Sequence, residues 1–287
     1  MRNIFQLYYQ LAKPGIVYGN SLHVLAGALL ASRAGVDVYT VIAATVGSAL
    51  IIASACVVNN YTDRRIDLAM ERTRKRAFVT GEVSLPIAAV YALLLFVSGV
   101  GVLHVYTNIL TLVLGLVGYV WYVVIYGIAK RHTVHSTLIG SVPGALPIVA
   151  GYTAVTGEID QTAIVLFALI VAWQMAHFFA ISLYRKEEYE AAGLPVYAVV
   201  RPLNRVILQI SMYVVLYVVV VGYAVSEGVF QSFAAVGMVV AAGWWAVVAS
   251  QGLRHKNKRV WAKQVFAVSL ALSFWLLCMS ALGVVLA

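Results

Sequence analysis

The chain has 287 residues, of which 62% are hydrophobic and only 11% charged, and its mean hydropathy is +0.90. Soluble globular domains carry about 25% charged residues, so this composition excludes a protein surrounded by water on all sides. The formal net charge is +9 at neutral pH. Because the basic residues concentrate beside apolar segments, we expect anionic membrane lipids as partners, and no nucleic acid.

The apolar residues form long segments, and most approach the ~20 residues that a helix needs to cross a bilayer. Backbone polar groups in lipid must be satisfied internally, which favours helices. The sequence therefore predicts an all-α fold, a polytopic membrane helix bundle that forms a single domain over residues 1–287. Its nine predicted transmembrane helices cover residues 16–31, 39–59, 85–105, 109–128, 134–155, 163–183, 206–226, 230–250 and 265–286.

Charges and tryptophans indicate how this bundle lies in the membrane. The N-terminus and the loops after the second, fourth, sixth and eighth predicted helices contain all 20 lysine and arginine residues except Arg33. The positive-inside rule therefore predicts a cytoplasmic N-terminus and, after nine crossings, a periplasmic C-terminus. Trp244, Trp245 and Trp261 lie near predicted helix ends, a position typical of the interfacial aromatic belt.

A group of polar residues follows the second predicted helix at its cytoplasmic end. Asn59, Asp63 and Asp67 recur every four residues, so a continuing helix would place them along one face. Mg²⁺ takes one or two protein carboxylates together with substrate phosphate oxygens, which suits this set. The following segment 71–76 is rich in basic residues that bind phosphate groups. The alternative is a basic anchor in which the aspartates are only salt-bridge partners.

These residues carry a resemblance to a known family. The motif resembles the aspartate-rich motif of the UbiA superfamily of intramembrane prenyltransferases, and the longer stretch 59–76 resembles its protohaem IX farnesyltransferase (haem O synthase) branch. The pattern departs at Ala176, where proline is usual, and at Glu188, where aspartate is usual. The other stretches that resemble this branch are residues 12–16, 130–132, 137–140, 144–147, 173–178 and 189–195.

The resemblance implies a UbiA-like fold and a specific reaction in the cytoplasmic (inner) membrane of a bacterium. A farnesyl group passes from farnesyl diphosphate to a vinyl group of haem b, and addition of water completes haem O for terminal oxidases. Mg²⁺ is the implied cofactor, and haem b is a substrate. A terminal oxidase and a haem A synthase are the candidate protein partners.

The same resemblance implies which residues form the site. Their expected roles are catalysis, metal binding and substrate binding. The catalytic residues are Asp63, Asp67, Arg72, Lys75 and Arg76, and the metal ligands are Asn59, Asp63, Asp67 and Glu188. The substrate-binding residues are Asn59, Asn60, Lys130, Arg131, His132, Trp173, His177, Tyr184, Arg185, Glu188 and Tyr189.

Aromatic and histidine residues inside the predicted helices are further candidates. Tyr122, Tyr126 and Phe178 could stabilise an allylic cation through cation–π contacts. His177 is either a substrate-binding residue or a histidine satisfied within the bundle. His23 is an ionisable residue inside the first predicted helix, where such residues are often functional, and it is a weaker candidate.

Three other functions are compatible with parts of the sequence. A UbiA-type enzyme could act on an aromatic quinone precursor or another tetrapyrrole, but the stretches 130–132 and 173–193 resemble the haem-specific branch. A membrane transporter could also use nine helices, but the acidic residues gather at helix ends beside arginines. A haem-assembly factor without catalysis would not need the complete motif of Asn59, Asp63 and Asp67.

Overall fold

The computed structural model describes residues 3–32, 35 and 37–285. Three residues used in the sequence predictions lie outside the described residues. They are Arg2 and Arg33, which count in the positive-inside rule, and Leu286, at the end of the ninth predicted helix. In chain order the helices are α1 (Ile4–Leu11), α2 (Pro14–Ala31), α3 (Val38–Thr62), α4 (Arg64–Ala69), α5 (Ala77–Thr80), α6 (Leu85–Tyr106), α7 (Ile109–Val120), a π-helix (Trp121–Tyr126), α8 (Gly127–His132), α9 (Ser136–Thr156), α10 (Gln161–Tyr184), α11 (Lys186–Ala191), α12 (Tyr197–Val200), α13 (Leu203–Ser226), α14 (Ser232–Ser250) and α15 (Lys258–Val285).

Within the described ranges, nine helical segments are long and apolar enough to cross a membrane. They are α2, α3, α6, the continuous segment Ile109–His132, α9, α10, α13, α14 and α15. The predicted all-α bundle of nine membrane helices is therefore confirmed. The main differences lie at helix ends, because the fourth segment continues to His132 and α15 begins at Lys258. Basic residues that the sequence interpretation assigned to loops continue the helices there.

Two glycines allow α2 and α9 to pack with their backbones in contact. A methyl group added at Gly27 would lie 2.0 Å from the carbonyl oxygen of Ile148, and one at Gly151 would lie 1.9 Å from that of Val24. Only glycine fits such an approach, which is common where membrane helices cross. Because α2 also contacts α3 and α15, it holds a central position in the bundle.

Two of the tryptophans expected at the membrane interface belong to the core instead. Trp245 and Trp261 are fully buried, and their indole N–H groups donate to the carbonyl oxygens of Val265 at 3.1 Å and Val248 at 2.9 Å. Because a backbone carbonyl satisfies the polar atom, the whole ring can be buried. The prediction was wrong for these two residues. Trp244 is 52% exposed, as a belt residue would be.

The fourth spanning segment changes from α-helix to π-helix over Trp121–Tyr126. This wider turn brings the rings of Tyr122 and Tyr126 into a stack with centres 5.7 Å apart. Nε1 of Trp121 donates to the carbonyl oxygen of Ile139 in α9 at 2.9 Å, which anchors the segment. Turns of this type are frequent at functional sites, and this one directs both tyrosines to one cavity.

The helical continuation predicted after α3 is confirmed. Although α3 ends at Thr62 and α4 begins at Arg64, the N–H of Asp63 donates to the carbonyl of Asn59 at 2.9 Å, and that of Asp67 to the carbonyl of Asp63 at 2.8 Å. These bonds keep the three motif side chains on successive turns. The short helices α4, α5, α11 and α12 lie in the loops after the second and sixth spans.

Candidate active site

A cavity of 490 Å³ lies inside the bundle, between α2, α3, the segment Ile109–His132, α9, α10 and α15. Its volume falls in the range of ~300–1,000 Å³ typical of small-molecule sites. Most of its wall is apolar or aromatic, and its polar side chains include Asn20, Lys130 and Gln174. An apolar pocket with few polar groups is the usual form of a site that binds and orients an organic substrate.

Asp63 is paired with two cations beside this cavity. Nζ of Lys130 lies 2.5 Å from its carboxylate, and Nη2 of Arg131 lies 3.2 Å from Oδ1. Arg131 also donates to the carbonyl oxygen of Thr62 at 2.6 Å. Because Lys130 is buried and lines the cavity, these contacts link the first motif to the cavity. Two predicted substrate-binding residues are thereby brought to a predicted metal ligand.

Asp67 is paired with Arg76. Nη1 of the arginine contacts both carboxylate oxygens, at 2.8 Å and 2.7 Å, and Asp67 is 4% exposed. The hydroxyl of Thr73 donates to the carbonyl oxygen of Asp67 at 3.0 Å and fixes the turn that returns Arg76 to the motif. This pairing fits both hypotheses drawn from the sequence, the diphosphate site and the basic anchor.

Lys13 is a site residue that the sequence interpretation did not select. Its backbone φ is 51°, a left-handed conformation that residues with side chains rarely adopt. Its Nζ donates to Oδ1 of Asn59, which also lies 3.3 Å from the Tyr122 hydroxyl. Burial, followed by the charge of Arg76, lowers the pKa of Lys13 to about 8. Backbone strain at a partly buried cation is typical of functional sites, and the available signal was a lysine directly before a helix-starting proline.

The residues of the motif fit Mg²⁺ if substrate oxygens complete its coordination. Asp63 and Asp67 offer two carboxylates on successive turns, and Mg²⁺ commonly takes one or two. Among the described residues, no three histidine, cysteine, aspartate or glutamate side chains gather as a metal site. The structure therefore does not bring Glu188 into one cluster with the two aspartates.

Four predicted substrate-binding residues lie where α10 ends and α11 begins. Nη1 of Arg185 contacts Oε1 of Glu188 at 2.7 Å, while Nε of Arg185 and Oε2 of Glu188 are buried and have no hydrogen-bond partner among the described residues. Tyr189 lines the cavity, and burial raises the pKa of its phenol, which keeps it a neutral donor. The ring of Tyr184 lies outside the cavity, 5.1 Å from the guanidinium of Arg185 and 5.9 Å from that of Arg259.

A second cavity, of 180 Å³, is basic. Arg72, Lys75 and Arg76 line it together with Asn60, whose Nδ2 donates to the carbonyl oxygen of Leu11 at 2.6 Å. Three cations around a small polar space suit an anionic group. Because Arg76 also holds Asp67, the basic cavity adjoins the motif.

Trp173 and His177 lie one turn apart on α10, and both line the main cavity. Their rings stack with centres 4.9 Å apart, and Nε1 of Trp173 donates to the carbonyl oxygen of Ser269 in α15 at 2.8 Å. His23 packs edge-on against Trp173 from α2, with ring centres 5.2 Å apart. His132, in contrast, is exposed at the end of α8.

The three aromatic candidates lie around the same cavity. Tyr122, Tyr126 and Phe178 all line the main cavity. Nζ of Lys130 lies 5.5 Å from the centre of the Tyr126 ring, so the electron-rich face of that ring is next to the cation that holds Asp63. The cavity therefore combines cations and aromatic faces a short distance apart.

Comparisons with known proteins agree with this architecture. Residues 21–277 match the model of the UbiA prenyltransferase family. The chain belongs to the UbiA prenyltransferase family. This UbiA chain is 41% identical over 271 residues to proteins named protoheme IX farnesyltransferase from Escherichia coli O1:K1 / APEC and from Shigella flexneri, covering 93% of this chain and 90% of each relative. The resemblance inferred from the motifs is thereby confirmed.

Solved structures of other proteins share the UbiA fold. A structure from work on digeranylgeranylglyceryl phosphate synthase aligns with a TM-score of 0.81 at 15% identity, over 99% of both chains. A UbiA homolog from Archaeoglobus fulgidus bound to DMAPP and Mg²⁺ aligns with a TM-score of 0.75 at 13% identity, over 98% of this chain and 100% of that chain. The fold of this multi-pass membrane protein is thus that of UbiA enzymes.

Proposed function

We propose that this UbiA protein transfers the farnesyl group of farnesyl diphosphate to a vinyl group of haem b, with addition of water, and so makes haem O. The observation that carries the proposal is the 41% identity, over 93% of the chain, to proteins named protoheme IX farnesyltransferase. The main cavity supports it, because an apolar pocket borders the cations around Asp63. Residues 1–287 would form one prenyltransferase domain.

The diphosphate would bind beside the cations that hold the two aspartates. Arg76, Lys130 and Arg131 carry N–H donors that can stabilise the negative charge that grows on the leaving group. Mg²⁺ held by Asp63 and Asp67 would act as a Lewis acid toward the diphosphate. The residues of the basic cavity would bind the outer phosphate group.

The assignment of Asn59 and Glu188 as further metal ligands depends on the substrate. Oδ1 of Asn59 accepts from Lys13 and can turn to a metal only if that amine moves to a phosphate oxygen. Oε2 of Glu188 is buried and has no hydrogen-bond partner in the described part of the chain, so it can accept a new contact. The phosphate oxygens would have to connect Glu188 with the aspartates.

Breaking the carbon–oxygen bond of farnesyl diphosphate leaves an allylic cation that must be kept from water. The rings of Tyr122, Tyr126 and Phe178 would stabilise it by about 0.5–2 kcal/mol each. A vinyl group of haem b then supplies the electron pair for the new carbon–carbon bond. The cation formed on the porphyrin side takes up water, and loss of a proton leaves the hydroxyl group of haem O.

The remaining contacts and the setting of the reaction follow from the same proposal. Trp173, His177 and Tyr189 would contact haem b, because they line the main cavity. The protein would lie in the bacterial inner membrane with its N-terminus in the cytoplasm, so the diphosphate would enter from the cytoplasmic side. A terminal oxidase or a haem A synthase would take the product.

The test is turnover by the purified protein in nanodiscs with haem b, farnesyl diphosphate and Mg²⁺, with products identified by mass spectrometry. A haem species heavier by farnesyl plus water is expected from the unmodified protein. EDTA and Asp67→Asn should each abolish it. Asp37→Asn is the matched control, because Asp37 is an exposed aspartate that caps the far end of α3 and asparagine also caps well.

Two results would contradict the proposal. Intact farnesyl diphosphate and unmodified haem, from protein that is folded, would exclude haem farnesylation. Farnesyl transfer to an aromatic quinone precursor with no haem product would point to the other UbiA-type acceptors. Equal activity of Asp67→Asn and Asp37→Asn would leave the transfer reaction in place but remove the metal assignment.

A further inference from the structure

The imidazole of His177 is held in one orientation by its neighbours. On α10 it stacks on Trp173, with ring centres 4.9 Å apart, and from α15 the ring of Phe266 approaches to 4.7 Å. Nδ1 lies 2.7 Å from the hydroxyl oxygen of Ser269. No hydrogen-bond partner of Nε2 is found among the described residues, and His177 lines the main cavity. One nitrogen is therefore used by the protein and the other is left for a ligand.

The contacts of Ser269 determine which nitrogen carries the proton. The Ser269 hydroxyl lies 2.6 Å from the carbonyl oxygen of Phe266, which can only accept, so the single hydroxyl hydrogen is donated there. At its contact with His177 the same oxygen must then accept, and the proton is on Nδ1. In the neutral ring this leaves a lone pair on Nε2, the form in which histidine binds iron.

We propose that Nε2 of His177 coordinates the iron of haem b and that Ser269 is the positioning residue that holds the imidazole in this tautomer. The inference rests on the proposed function, since it takes haem b as the acceptor substrate. Coordination would fix the porphyrin in the same cavity that Tyr122 and Tyr126 line, and so orient its vinyl groups toward the aromatic wall. A hydrogen bond from the second nitrogen of a ligating histidine is the usual arrangement at metal sites.

His23 on the same cavity does not have this arrangement. Its Nε2 lies 2.8 Å from the hydroxyl of Ser273, and its Nδ1 is buried with no partner in the ranges that the structure describes. Within the described chain the Ser273 hydroxyl has no second acceptor, so it can either donate or accept, and the tautomer is not determined. The contrast makes His23→Ala the informative comparison for His177→Ala.

The test is equilibrium binding of ferric haem b to the protein in nanodiscs without farnesyl diphosphate, followed by absorption and electron paramagnetic resonance spectra. His177→Ala should lose the histidine-ligated spectrum, and added imidazole should restore it. Ser269→Ala should weaken haem binding about tenfold, the loss typical for a residue that orients a metal ligand. Ser280→Ala is the matched control, because Ser280 is a buried serine of α15 that donates to the carbonyl oxygen of Leu276 and does not line the cavity. It should bind haem as the unmodified protein does.

Metal-free protoporphyrin IX separates coordination from packing. Its affinity should be the same in the unmodified protein and in Ser269→Ala, because no iron is present to be bound. An unchanged haem spectrum in His177→Ala, or loss of the ligated spectrum in His23→Ala instead, would overturn the assignment. If that happened while farnesyl transfer to haem continued, only the ligand assignment would fail. Absence of both haem binding and transfer in the unmodified protein would contradict the proposed function as well.

Discussion

The side chains around the motif aspartates serve the fold and the chemistry at once. Asp63 and Lys130 form a pair in which both side chains are largely buried, at 12% and 10% exposure. Burying one ion without its partner is unfavourable, whereas a complete pair can be replaced by apolar groups at little loss. This difference allows the structural role of the pair to be separated from its role in the reaction.

Asp63→Asn should lower both thermal stability and turnover. It leaves the Lys130 ammonium buried without a counter-ion, at a typical loss of about 3–5 kcal/mol. The double variant Asp63→Asn/Lys130→Met should regain most of the stability, measured by thermal unfolding in nanodiscs. Its kcat should stay at least ~100-fold below that of the unmodified protein, because the charges needed at the leaving group are gone. Full turnover in the double variant would support the basic-anchor alternative.

Lys13→Gly should weaken the binding of farnesyl diphosphate with little change in stability. Glycine adopts a φ of 51° freely, so the substitution relieves a strain of about 1–2 kcal/mol that offsets the loss of the internal hydrogen bond to Asn59, and the unfolding temperature should stay close to that of the unmodified protein. The hydrogen bond that the Lys13 amine would donate to a phosphate oxygen of the substrate, of about 1.5–3 kcal/mol, is also lost, which should raise KM for farnesyl diphosphate about 10- to 100-fold. Lys13→Ala is the comparison that keeps the strain and removes the charge. Unchanged KM in both variants would exclude Lys13 from the diphosphate site.

Some of these residues could not be found from the sequence. The spacing of Asn59, Asp63 and Asp67 gave a periodic signal, and the helical bonds across Asp63 bear it out. Ser269, in contrast, is one serine among many in an apolar helix, and its significance depends on the simultaneous contacts with His177 and the carbonyl of Phe266. Such an arrangement joins residues far apart in the chain and has no local pattern.

Among the helices, the spans themselves were predictable and their irregularities were not. Long apolar segments identify spans because the bilayer demands length and hydropathy. The π-helix at Trp121–Tyr126 continues the apolar sequence of the α-helix before it, and its anchoring bond from Trp121 to Ile139 joins two helices and leaves no local pattern. The burial of Trp245 and Trp261 likewise depends on a backbone carbonyl of the neighbouring helix, which lies in α15 for Trp245 and in α14 for Trp261.

The crossing of α2 and α9 should be intolerant of even one methyl group. Gly27→Ala and Gly151→Ala would each place a carbon about 2 Å from a carbonyl oxygen, so the helices must separate. We expect each to destabilise the protein by about 1–3 kcal/mol, seen as a lower unfolding temperature in nanodiscs. Gly222→Ala in α13 is the control, since no atom of another described part of the chain lies within 4 Å of its added carbon. Equal unfolding temperatures for all three would contradict the close packing.

The complete bundle is the level that composition and charge specify best. Hydropathy gave the nine spans, because each span meets the membrane largely on its own. The arrangement of the spans around the main cavity, in contrast, depends on close contacts such as the one at Gly27. The orientation rests on the positive-inside rule alone and stays a prediction.

Cysteine labelling in intact cells and in inverted vesicles should report that orientation. In a protein without Cys56 and Cys278, a cysteine at Arg74 should react with an impermeant reagent only in inverted vesicles. A cysteine at Glu158, in the exposed loop between α9 and α10, should react only in intact cells. The reverse pattern would place the N-terminus and the basic cavity outside the cytoplasm.

The ion pairs of the motif have a consequence for the order in which ligands bind. Asp63 and Asp67 bring two negative charges, and the basic side chains around the motif bring four positive ones. These basic residues are Lys13, Arg76, Lys130 and Arg131. The site therefore has an excess of positive charge, which repels a bare divalent cation and attracts a diphosphate.

We expect calorimetric titration with Mg²⁺ alone to give weak binding, and tight binding once inorganic pyrophosphate is present. Comparable Mg²⁺ affinity with and without pyrophosphate would contradict this. With the expected result, the motif behaves as an anion receptor that becomes a metal site only after a diphosphate has bound. The apparent Mg²⁺ affinity of the enzyme would therefore rise with the local concentration of isoprenoid diphosphate. A site without that diphosphate would hold no metal.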